Sequence, residues 1–471
     1  MIHYDDGTVT VHHGDCIQVM RTLPDGSIDA VVTDPPYGLE FMGKDWDKFR
    51  YSNTGPQHTD FKNLGALPTF SPNRRNQKCP ACGKWAYDHP GRKCECGGWK
   101  QPAQLGYALG FQQWCTEWAT EALRVLKPGG HLVAFGGTRT WHRLACAIED
   151  AGFEIRDALA WMYGSGFPKS LDVSKAIDKA AGATREVVAR KVGARNGNGQ
   201  NVDYGAFGSA DSGEYSLTAP ATDDARRWQG WGTALKPAYE PIVLARKPLV
   251  GTVANNVLAH GTGAINIDGC RVGYASEADR QAIESATWVG RNLDRTAYGD
   301  WETDGTDMPM RANPSGRWPA NVILDADAAG ILDAQSGVSR DGVAVRRHGV
   351  TGGEIGPPGA KAVGTPDMGY GGEGGASRFF YTSKAGRDER PTVDGVAHPT
   401  VKPLDLMQWL VRLVTPPGGV VLDPFAGSGT TAEACIVEGF RCIAVEMTAD
   451  YLPLIVARLS KPIQPTLGAD L

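Results

Sequence analysis

The strongest constraint on the fold is a short apolar run that enters a glycine-rich turn near the end of the sequence. Residues 421–431 read VLDPFAGSGTT, which predicts a strand, a turn and the first residues of a helix. Gly427 and Gly429 allow the backbone to approach a ligand without obstruction by a Cβ atom. Nucleotide-like ligands bind at such strand-to-helix turns of α/β sheets. The turn lacks the lysine of a P-loop and the spacing of the GxGxxG fingerprint. Glycines alone would also suit a tight turn without any ligand.

Strands and helices alternate at both ends of the sequence. Apolar runs predict strands at 27–33, 131–135, 155–163, 419–422 and 441–445, and helical spacing predicts helices at 110–126, 140–151, 404–414, 430–438 and 449–459. Such alternation predicts one parallel α/β sheet, here of the Rossmann-like type and assembled from both chain ends. The glycine-rich remainder predicts insertions. The expected segments are 1–43 (first catalytic half), 44–104 (insertion), 105–164 (core continued), 165–390 (target recognition) and 391–471 (cofactor-binding half).

Bulk composition sets broad limits on the kind of protein. A chain of 471 residues exceeds one ordinary core, so large insertions or a second domain are expected. The net charge of −5 argues mildly against a nucleic-acid partner, so a DNA-binding surface would have to be a local basic patch. Neither a signal peptide nor an apolar run of membrane-spanning length is visible, and the cysteine usage suits a reducing, cytoplasmic setting.

A second candidate site is the tetrapeptide Asp34-Pro35-Pro36-Tyr37, which follows the predicted strand at 27–33. The Asp34 carboxylate and the Pro35 carbonyl could each accept a hydrogen bond from one amino group. Proline fixes φ and so aims that carbonyl. Tyr37 could stack on a base that carries the amine, and such a base must leave the duplex to reach the pocket. By itself, the tetrapeptide could also be a plain strand terminator.

Glu446 ends the predicted strand that follows the glycine turn, where its carboxylate could accept hydrogen bonds from both hydroxyls of a ribose. Together with DPPY and DPFAGSGTT, this arrangement resembles the amino-methyltransferases of DNA, in the β-group order of motifs. The segment 398–403, HPTVKP, and the segment 11–15, VHHGD, also resemble that family. The resemblance covers residues 1–40, 105–165 and 395–460. It implies an S-adenosylmethionine site formed by Asp15, Thr400, Lys402, Asp423, Phe425, Gly427, Gly429 and Glu446.

The resemblance implies direct methyl transfer to an amino group of double-stranded DNA. Asp34, where cytosine-N4 enzymes more often carry serine, favours adenine N6; cytosine N4 is the alternative. Protein-amide methyltransferases usually carry asparagine at this position. No Pro-Cys dipeptide is present, so the covalent chemistry of cytosine C5 is not expected. A catalytically inactive zinc-bearing DNA-binding protein is an alternative from another class. A bifunctional restriction enzyme would need a nuclease cluster that the sequence does not reveal.

Four cysteines in the first insertion form two close pairs, Cys79 with Cys82 and Cys94 with Cys96. Paired cysteines beside glycines are typical of a structural Zn²⁺ site, and His89 could replace one ligand. The second pair is C-x-C, a less common spacing. Four free thiols are the alternative. We expect zinc to stabilise an insertion that has no core of its own.

DNA recognition is expected in the middle of the chain. Basic candidates for phosphate or base contacts are Arg185, Arg190, Lys191, Arg195, Arg226 and Arg227, although each could equally belong to a solvated face. Trp228, Trp231 and Trp318 are expected in a core rather than against bases. Asp45 and Trp46 could border the target base. Residues 230–241 resemble solitary methyltransferases carried by phages, and relatives of this group include restriction–modification enzymes and homodimers.

Overall fold

The computed structural model describes residues 1–38, 103–164, 166, 170–192, 214–284, 287–288, 308–309, 313–340, 343–344, 368–369, 373–383 and 389–461. The strands in this part are β1 (Ile2–Asp5), β2 (Val9–His13), β3 (Ile28–Thr33), β4 (Leu126–Phe135), β5 (Glu154–Met162), β6 (Val187–Val192), β7 (Glu214–Thr218), β8 (Tyr239–Arg246), β9 (Thr287–Trp288), β10 (Met308–Pro309), β11 (Val322–Asp325), β12 (Ser339–Arg340), β13 (Val343–Ala344), β14 (Met368–Gly369), β15 (Glu373–Gly374), β16 (Tyr381–Ser383), β17 (Thr392–Val393), β18 (Val396–Ala397), β19 (Val420–Asp423) and β20 (Arg441–Glu446).

Helices flank these strands in sequence. They are α1 (Cys16–Met20), α2 (Ala103–Val125), α3 (Trp141–Asp150), α4 (Val173–Ala180), α5 (Asp223–Arg227), α6 (Val253–His260), α7 (Glu277–Glu284), α8 (Ala326–Ser336), α9 (Leu404–Val414), α10 (Thr430–Val437) and α11 (Leu452–Leu459), with 3-10 turns at Asp268–Cys270, Ala376–Phe379 and Ala449–Tyr451. None of the helices in the described ranges is long and apolar enough to cross a membrane.

Ten strands form one central sheet in the order β1-β2-β20-β19-β3-β4-β8-β5-β11-β16. β2, β20, β19, β3 and β4 run parallel, as the alternating pattern predicts. Every residue of β3 is buried, and its side chains alternate between two hydrophobic cores. A strand that is buried on both faces gives the continuous apolar run seen in the sequence. Helices α9, α10 and α11 contribute to one core, and α2 and α3 to the other.

The prediction of a parallel sheet made only from the chain ends was wrong in two respects. β8 is antiparallel to both β4 and β5, and β1 is antiparallel to β2. In addition, β8, β11 and β16 come from the stretch 165–390 that was expected to be a separate recognition region. Short apolar runs between glycine-rich loops have no period that distinguishes sheet strands from insertions, which explains the error.

The chain divides into two compact units, one of residues 1–164 and 239–471 and the other of residues 165–238. The smaller unit contains the antiparallel pair β6 and β7 together with α4 and α5. Its interior holds the buried Asp178 carboxylate, which accepts hydrogen bonds from Arg185 and from the backbone of Ala221 and Thr222. Burial opposes the charge of Asp178, but these donors lower its pKa to about 2.

Candidate active site

The DPPY tetrapeptide forms the turn at the carboxyl end of β3, as predicted. Thr140 donates a hydrogen bond of 2.6 Å to the Tyr37 carbonyl and so ties the end of this turn to the start of α3. The Tyr37 ring packs on Gly137, where an added Cβ would lie 3.1 Å from the ring. Gly38 has a φ of +64°, and a Cβ there would lie 2.6 Å from the Phe111 ring. Packing therefore favours glycine at 38, where φ is also left-handed, and leaves little room for a side chain at 137.

Four polar groups meet at this turn. The Lys402 ammonium lies 2.6 Å from Asp34 Oδ2 and 3.2 Å from Glu240 Oε2. The Tyr37 hydroxyl lies 2.9 Å from Asp34 Oδ1 and 2.8 Å from Glu240 Oε2, and it is 3.2 Å from the Lys402 ammonium. We call Asp34, Tyr37, Glu240 and Lys402 the carboxylate–lysine cluster. It joins three distant parts of the sequence, which lie at 34–37, 240 and 402.

The environment of the carboxylate–lysine cluster fixes the charge of its members. The Lys402 side chain is 8% exposed and lies over the Phe135 ring at 4.8 Å. Burial alone would lower the pKa of Lys402, but the charges of Asp34 and Glu240 outweigh it and raise that pKa above its ordinary value. Burial raises the pKa of Tyr37 well above its ordinary value, and the same two carboxylates raise it further. At neutral pH, Lys402 is therefore an ammonium and Tyr37 a neutral phenol.

The predicted glycine turn follows β19 at the same edge of the sheet. Asp423 accepts hydrogen bonds from Thr33 Oγ1 at 2.6 Å and from the Phe425 N–H at 3.1 Å. Because Thr33 is the last residue of β3, this bond joins the glycine turn to the DPPY turn. Burial raises the pKa of Asp423 to about 6, although these hydrogen bonds oppose the shift.

Gly427 and Gly429 have φ angles of +54° and +82° within the glycine turn. These are left-handed values that favour glycine. The Gly427 N–H donates to Glu446 Oε2 at 2.9 Å, and the Thr448 N–H donates to Glu446 Oε1 at 2.7 Å. Each carboxylate oxygen can accept more than one hydrogen bond, so Glu446 keeps capacity for a ligand. Burial raises the pKa of Glu446, and the two backbone donors oppose that effect.

Of the other residues predicted to bind a cofactor, Asp15 follows the strand that pairs with β20, and Phe425 lies within the glycine turn itself. Asp15 caps α1 by accepting from the Gln18 N–H, directly after β2, and β2 pairs with β20 so that His13 lies opposite Glu446. The Phe425 ring packs between Trp114 and Trp118, at centroid distances of 5.4 and 5.6 Å. The Asp15 carboxylate thus already accepts a hydrogen bond as the cap of α1. A role in binding a ligand would have to be combined with this capping role.

The HPTVKP segment contributes to both turns. A Cβ at Gly427 would lie 3.1 Å from His398 Nε2, so this ring lies against the glycine turn. His398 Nδ1 lies 2.5 Å from the Thr400 carbonyl oxygen. Burial lowers the pKa of His398, so its ring is neutral at neutral pH. Lys402, four residues along, lies instead in the carboxylate–lysine cluster at the DPPY turn.

Three groups at this edge were not predicted as site residues: Glu240, His398 and Arg458. The Arg458 guanidinium is fully buried and donates to the Ser428 carbonyl at 2.9 Å, inside the glycine turn. His398 could have been found from the HPTVKP segment. Glu240 directly precedes the apolar run of β8, but its place at this edge depends on the antiparallel direction of that strand, which the sequence does not reveal.

Several predicted features fall elsewhere. Cys79, Cys82, Cys94, Cys96, His89, Asp45, Trp46 and Arg195 lie outside the described residues. Trp228, Trp231 and Trp318 were wrongly expected in a core, since they are 41%, 60% and 66% exposed. Arg185 forms an ion pair with Asp178 at 2.5 Å inside the smaller unit. This structural role accounts for Arg185 without any contact to a nucleic acid.

The fold and the site define a class of protein. An α/β sheet that brings a DPPY turn and an Asp-Pro-Phe-Ala-Gly turn to one edge is the arrangement that the sequence resemblance implied for DNA amino-methyltransferases. A family model described as DNA methylase, of the N6/N4 methyltransferase type, matches residues 28–457. The chain belongs to this family.

Individual relatives that match the chain are also methyltransferases by name. Type II methyltransferase M.HindIII of Haemophilus influenzae is 27% identical over 259 residues, which are 54% of this chain and 64% of that protein. Type II methyltransferase M.ScaI of Streptomyces caespitosus is 36% identical over 76 residues, 16% of this chain and 25% of that protein. DNA adenine methyltransferase YhdJ of Escherichia coli is 40% identical over 62 residues, 13% of this chain and 21% of that protein. The alignments thus span less than two thirds of each relative.

Solved structures of DNA methyltransferases also align with the chain. The PvuII DNA methyltransferase, described as cytosine-N4-specific, has a TM-score of 0.40 at 13% identity and covers 98% of this chain and 91% of its own. The complex of M1.HpyAVI with S-adenosylmethionine has a TM-score of 0.34 at 14% identity, with 96% of this chain and 99% of its own covered. At TM-scores below 0.5, these similarities bear neither on the fold nor on the activity.

Proposed function

We propose that the protein transfers a methyl group from S-adenosylmethionine to the N6 amino group of adenine in double-stranded DNA. The observation that carries this proposal is the meeting of the DPPY turn and the glycine turn at one edge of the sheet, joined by the hydrogen bond from Thr33 to Asp423. One turn offers acceptors for an amine, and the other offers a glycine backbone beside the buried Glu446 carboxylate.

The residues at the glycine turn fit the proposed cofactor. A side chain at Gly427 would press on His398, so glycine lets the His398 ring pack against this turn, where it would border the cofactor. Glu446 would accept hydrogen bonds from the ribose hydroxyls, and the residues that would surround the rest of the cofactor are Asp15, Thr400, Asp423, Phe425 and Gly429. S-adenosylmethionine would supply a methyl group on a positively charged sulfur.

In the proposed mechanism, Asp34 and the Pro35 carbonyl accept the two N–H bonds of the target amine. These hydrogen bonds direct the nitrogen lone pair towards the methyl carbon. The amine nitrogen would attack the methyl carbon that the cofactor supplies, and the electron pair of the broken C–S bond would stay on sulfur. The nitrogen becomes positively charged and gives up one proton to the Asp34 carboxylate. Positioning and exclusion of water supply most of the rate.

The experiment is transfer of labelled methyl from S-adenosylmethionine to unmethylated double-stranded DNA, with the product nucleosides separated afterwards. We expect N6-methyladenine, and Asp34→Ala should reduce the rate about 10²–10⁴-fold. Asp268→Ala is a matched control, since the Asp268 side chain is 74% exposed and pairs only with Arg271 among the described residues. Full activity of Asp34→Ala would overturn the role proposed for Asp34. An absence of labelled base despite cofactor binding would overturn the proposed activity and favour an inactive DNA-binding protein.

Adenine is the preferred target because aspartate, rather than serine, stands at position 34. The name of YhdJ, an adenine methyltransferase, supports the same choice. N4-methylcytosine as the labelled product would keep the mechanism and overturn the target.

We further propose that DNA is contacted by the smaller unit, residues 165–238. Trp228 and Trp231 are exposed and form an edge-to-face pair with centroids 5.0 Å apart. Arg226 and Arg227 on α5 are exposed beside them. Exposed aromatic rings next to basic side chains suit stacking on bases together with contacts to phosphates.

We also propose a structural Zn²⁺ held by Cys79, Cys82, Cys94 and Cys96, on the strength of their spacing in the sequence. Within the described residues, no group of three or more His, Cys, Asp or Glu side chains could hold a metal. The four cysteines lie outside that part of the chain, so the zinc proposal has to be tested by measurement.

A further inference from the structure

Glu240 lies in the proposed amine pocket although it belongs to neither the DPPY turn nor the glycine turn. It is the second residue of β8, and the register of that strand places it opposite Trp161 of β5. Because β8 runs antiparallel to β4, its first residues lie at the edge where β4 ends. Glu240 therefore lies near the start of its strand, whereas the DPPY turn follows the end of β3, and the two meet at the same edge of the sheet.

The charges of the carboxylate–lysine cluster do not balance. Two carboxylates, Asp34 and Glu240, share one ammonium, that of Lys402, so the net charge is −1. The Tyr37 hydroxyl lies within hydrogen-bond distance of both carboxylates, but a phenol has one proton and can donate it to only one of them at a time. Glu240 thus competes with Asp34 for the Lys402 ammonium and for the Tyr37 hydroxyl proton.

We propose that Glu240 is a positioning residue for methyl transfer. It takes a share of the Lys402 charge and accepts the Tyr37 proton, which leaves Asp34 able to accept the N–H bond of the target amine. This inference rests on the proposed function and adds to it a residue outside the DPPY turn.

The physical argument concerns the charge that moves during transfer. As the N–C bond forms and the C–S bond breaks, positive charge passes from sulfur to the amine nitrogen. A fixed net charge of −1 beside that nitrogen stabilises the change. Without Glu240, Lys402 would neutralise Asp34 alone and the cluster would carry no net charge. The effect is strong because the Lys402 side chain is 8% exposed, so water screens it little.

The test compares Glu240→Gln with the double variant Glu240→Gln/Lys402→Met. The first removes one negative charge from the cluster, and the second restores the net charge of −1 by also removing the positive one. Single-turnover methyl transfer to DNA is measured with saturating S-adenosylmethionine and saturating DNA, and the Kd for S-adenosylmethionine is measured separately. Glu154→Gln is the control, since Glu154 pairs with Arg246 at the other end of β5.

We expect Glu240→Gln to reduce the single-turnover rate about 10- to 100-fold with a Kd within about twofold of wild type. The double variant should be faster than Glu240→Gln alone, which a merely structural role would not produce. A wild-type rate in Glu240→Gln, or a double variant no faster than the single one, would overturn the inference. If Glu240→Gln does not fold, as judged by its circular dichroism, Glu240→Asp replaces it; because it keeps the negative charge, its rate should lie between that of wild type and that of Asp34→Ala, and a rate as low as that of Asp34→Ala would overturn the inference.

The proposed function can fail separately. If Asp34→Ala retains full transfer, the amine site itself is misplaced. If Asp34→Ala is inactive while Glu240→Gln transfers at the wild-type rate, the amine site stands and only the role of Glu240 is refuted.

Discussion

The buried guanidinium of Arg458 offers a quantitative test of how the glycine turn is held. Arg458 on α11 is 0% exposed and pairs with Glu433 of α10 at 2.5 Å. It also donates to the carbonyls of Ser428 and Glu389. One side chain thus connects two helices to the turn proposed to bind the cofactor.

Arg458→Met keeps the apolar volume but removes the charge. Glu433 is 8% exposed, so its carboxylate would lose a cationic partner inside the protein. Breaking a buried ion pair from one side costs about 3–5 kcal/mol. Because the Ser428 carbonyl would also lose its charged donor, we expect the Kd for S-adenosylmethionine to rise about tenfold, which corresponds to about 1.4 kcal/mol.

The assays are denaturant unfolding and calorimetric titration with S-adenosylmethionine. Arg280→Met is the matched control, because Arg280 and Glu277 form a surface pair with side chains 33% and 61% exposed. Loss of that pair should change the free energy of unfolding by less than about 1 kcal/mol and leave the Kd unchanged. Glu433→Gln/Arg458→Met should be more stable than Arg458→Met, since neither charge remains. An Arg458→Met protein as stable as Arg280→Met would refute the argument.

Three further predictions concern other parts of the molecule. The pKa of Asp423, at about 6 against an ordinary 3.8, means that ionisation opposes folding, so its contribution to stability falls as pH rises from about 4 to 6. Asp423→Asn should therefore gain up to about 3 kcal/mol relative to wild type between pH 4 and 7 in denaturant unfolding, and a difference independent of pH would contradict this. Trp228→Ala/Trp231→Ala should weaken DNA binding by about 1–3 kcal/mol while unfolding changes by about 0.5 kcal/mol or less, and unchanged affinity would count against the DNA surface. Elemental analysis should find one zinc per chain, lost in Cys79→Ser/Cys82→Ser; a metal-free wild type would refute the zinc site.

Much of the site could be predicted because its turns carry local signals. DPPY follows a fully buried strand, and the glycines at 427 and 429 follow another strand, so both motifs mark strand ends in the sequence. Parallel strands bring their carboxyl ends to one edge of the sheet. The helices α9 and α11 were predicted within a few residues because each has an apolar face of helical period, and α10 because it directly follows the glycine turn.

The rest depends on long-range pairing. Glu240 meets Tyr37 across 203 residues, and Lys402 meets Asp34 across 368. The direction of β8 decides whether Glu240 lies at the active edge or at the opposite one, and its sequence, with Pro241 before four apolar residues, suits either direction. The exposed Trp228, Trp231 and Trp318 show the converse error, because a large apolar side chain suggests a core even where the local structure leaves it at the surface.

Each of the two turns of the site is held by its own buried cation from the C-terminal part of the sequence. Lys402 holds Asp34 at the amine side, and Arg458 holds Ser428 at the cofactor side. β19 lies between β20 and β3, so the pairing of these strands places Lys402 beside Asp34 from the other end of the chain, whereas the acceptors of Arg458 lie in its own part of the chain. The hydrogen bond from Thr33 to Asp423 then joins the two turns directly. The DPPY turn is thus bound to Lys402 and the glycine turn to Thr33, so each turn depends on a residue from the other end of the chain, whatever the length of the insertions between them.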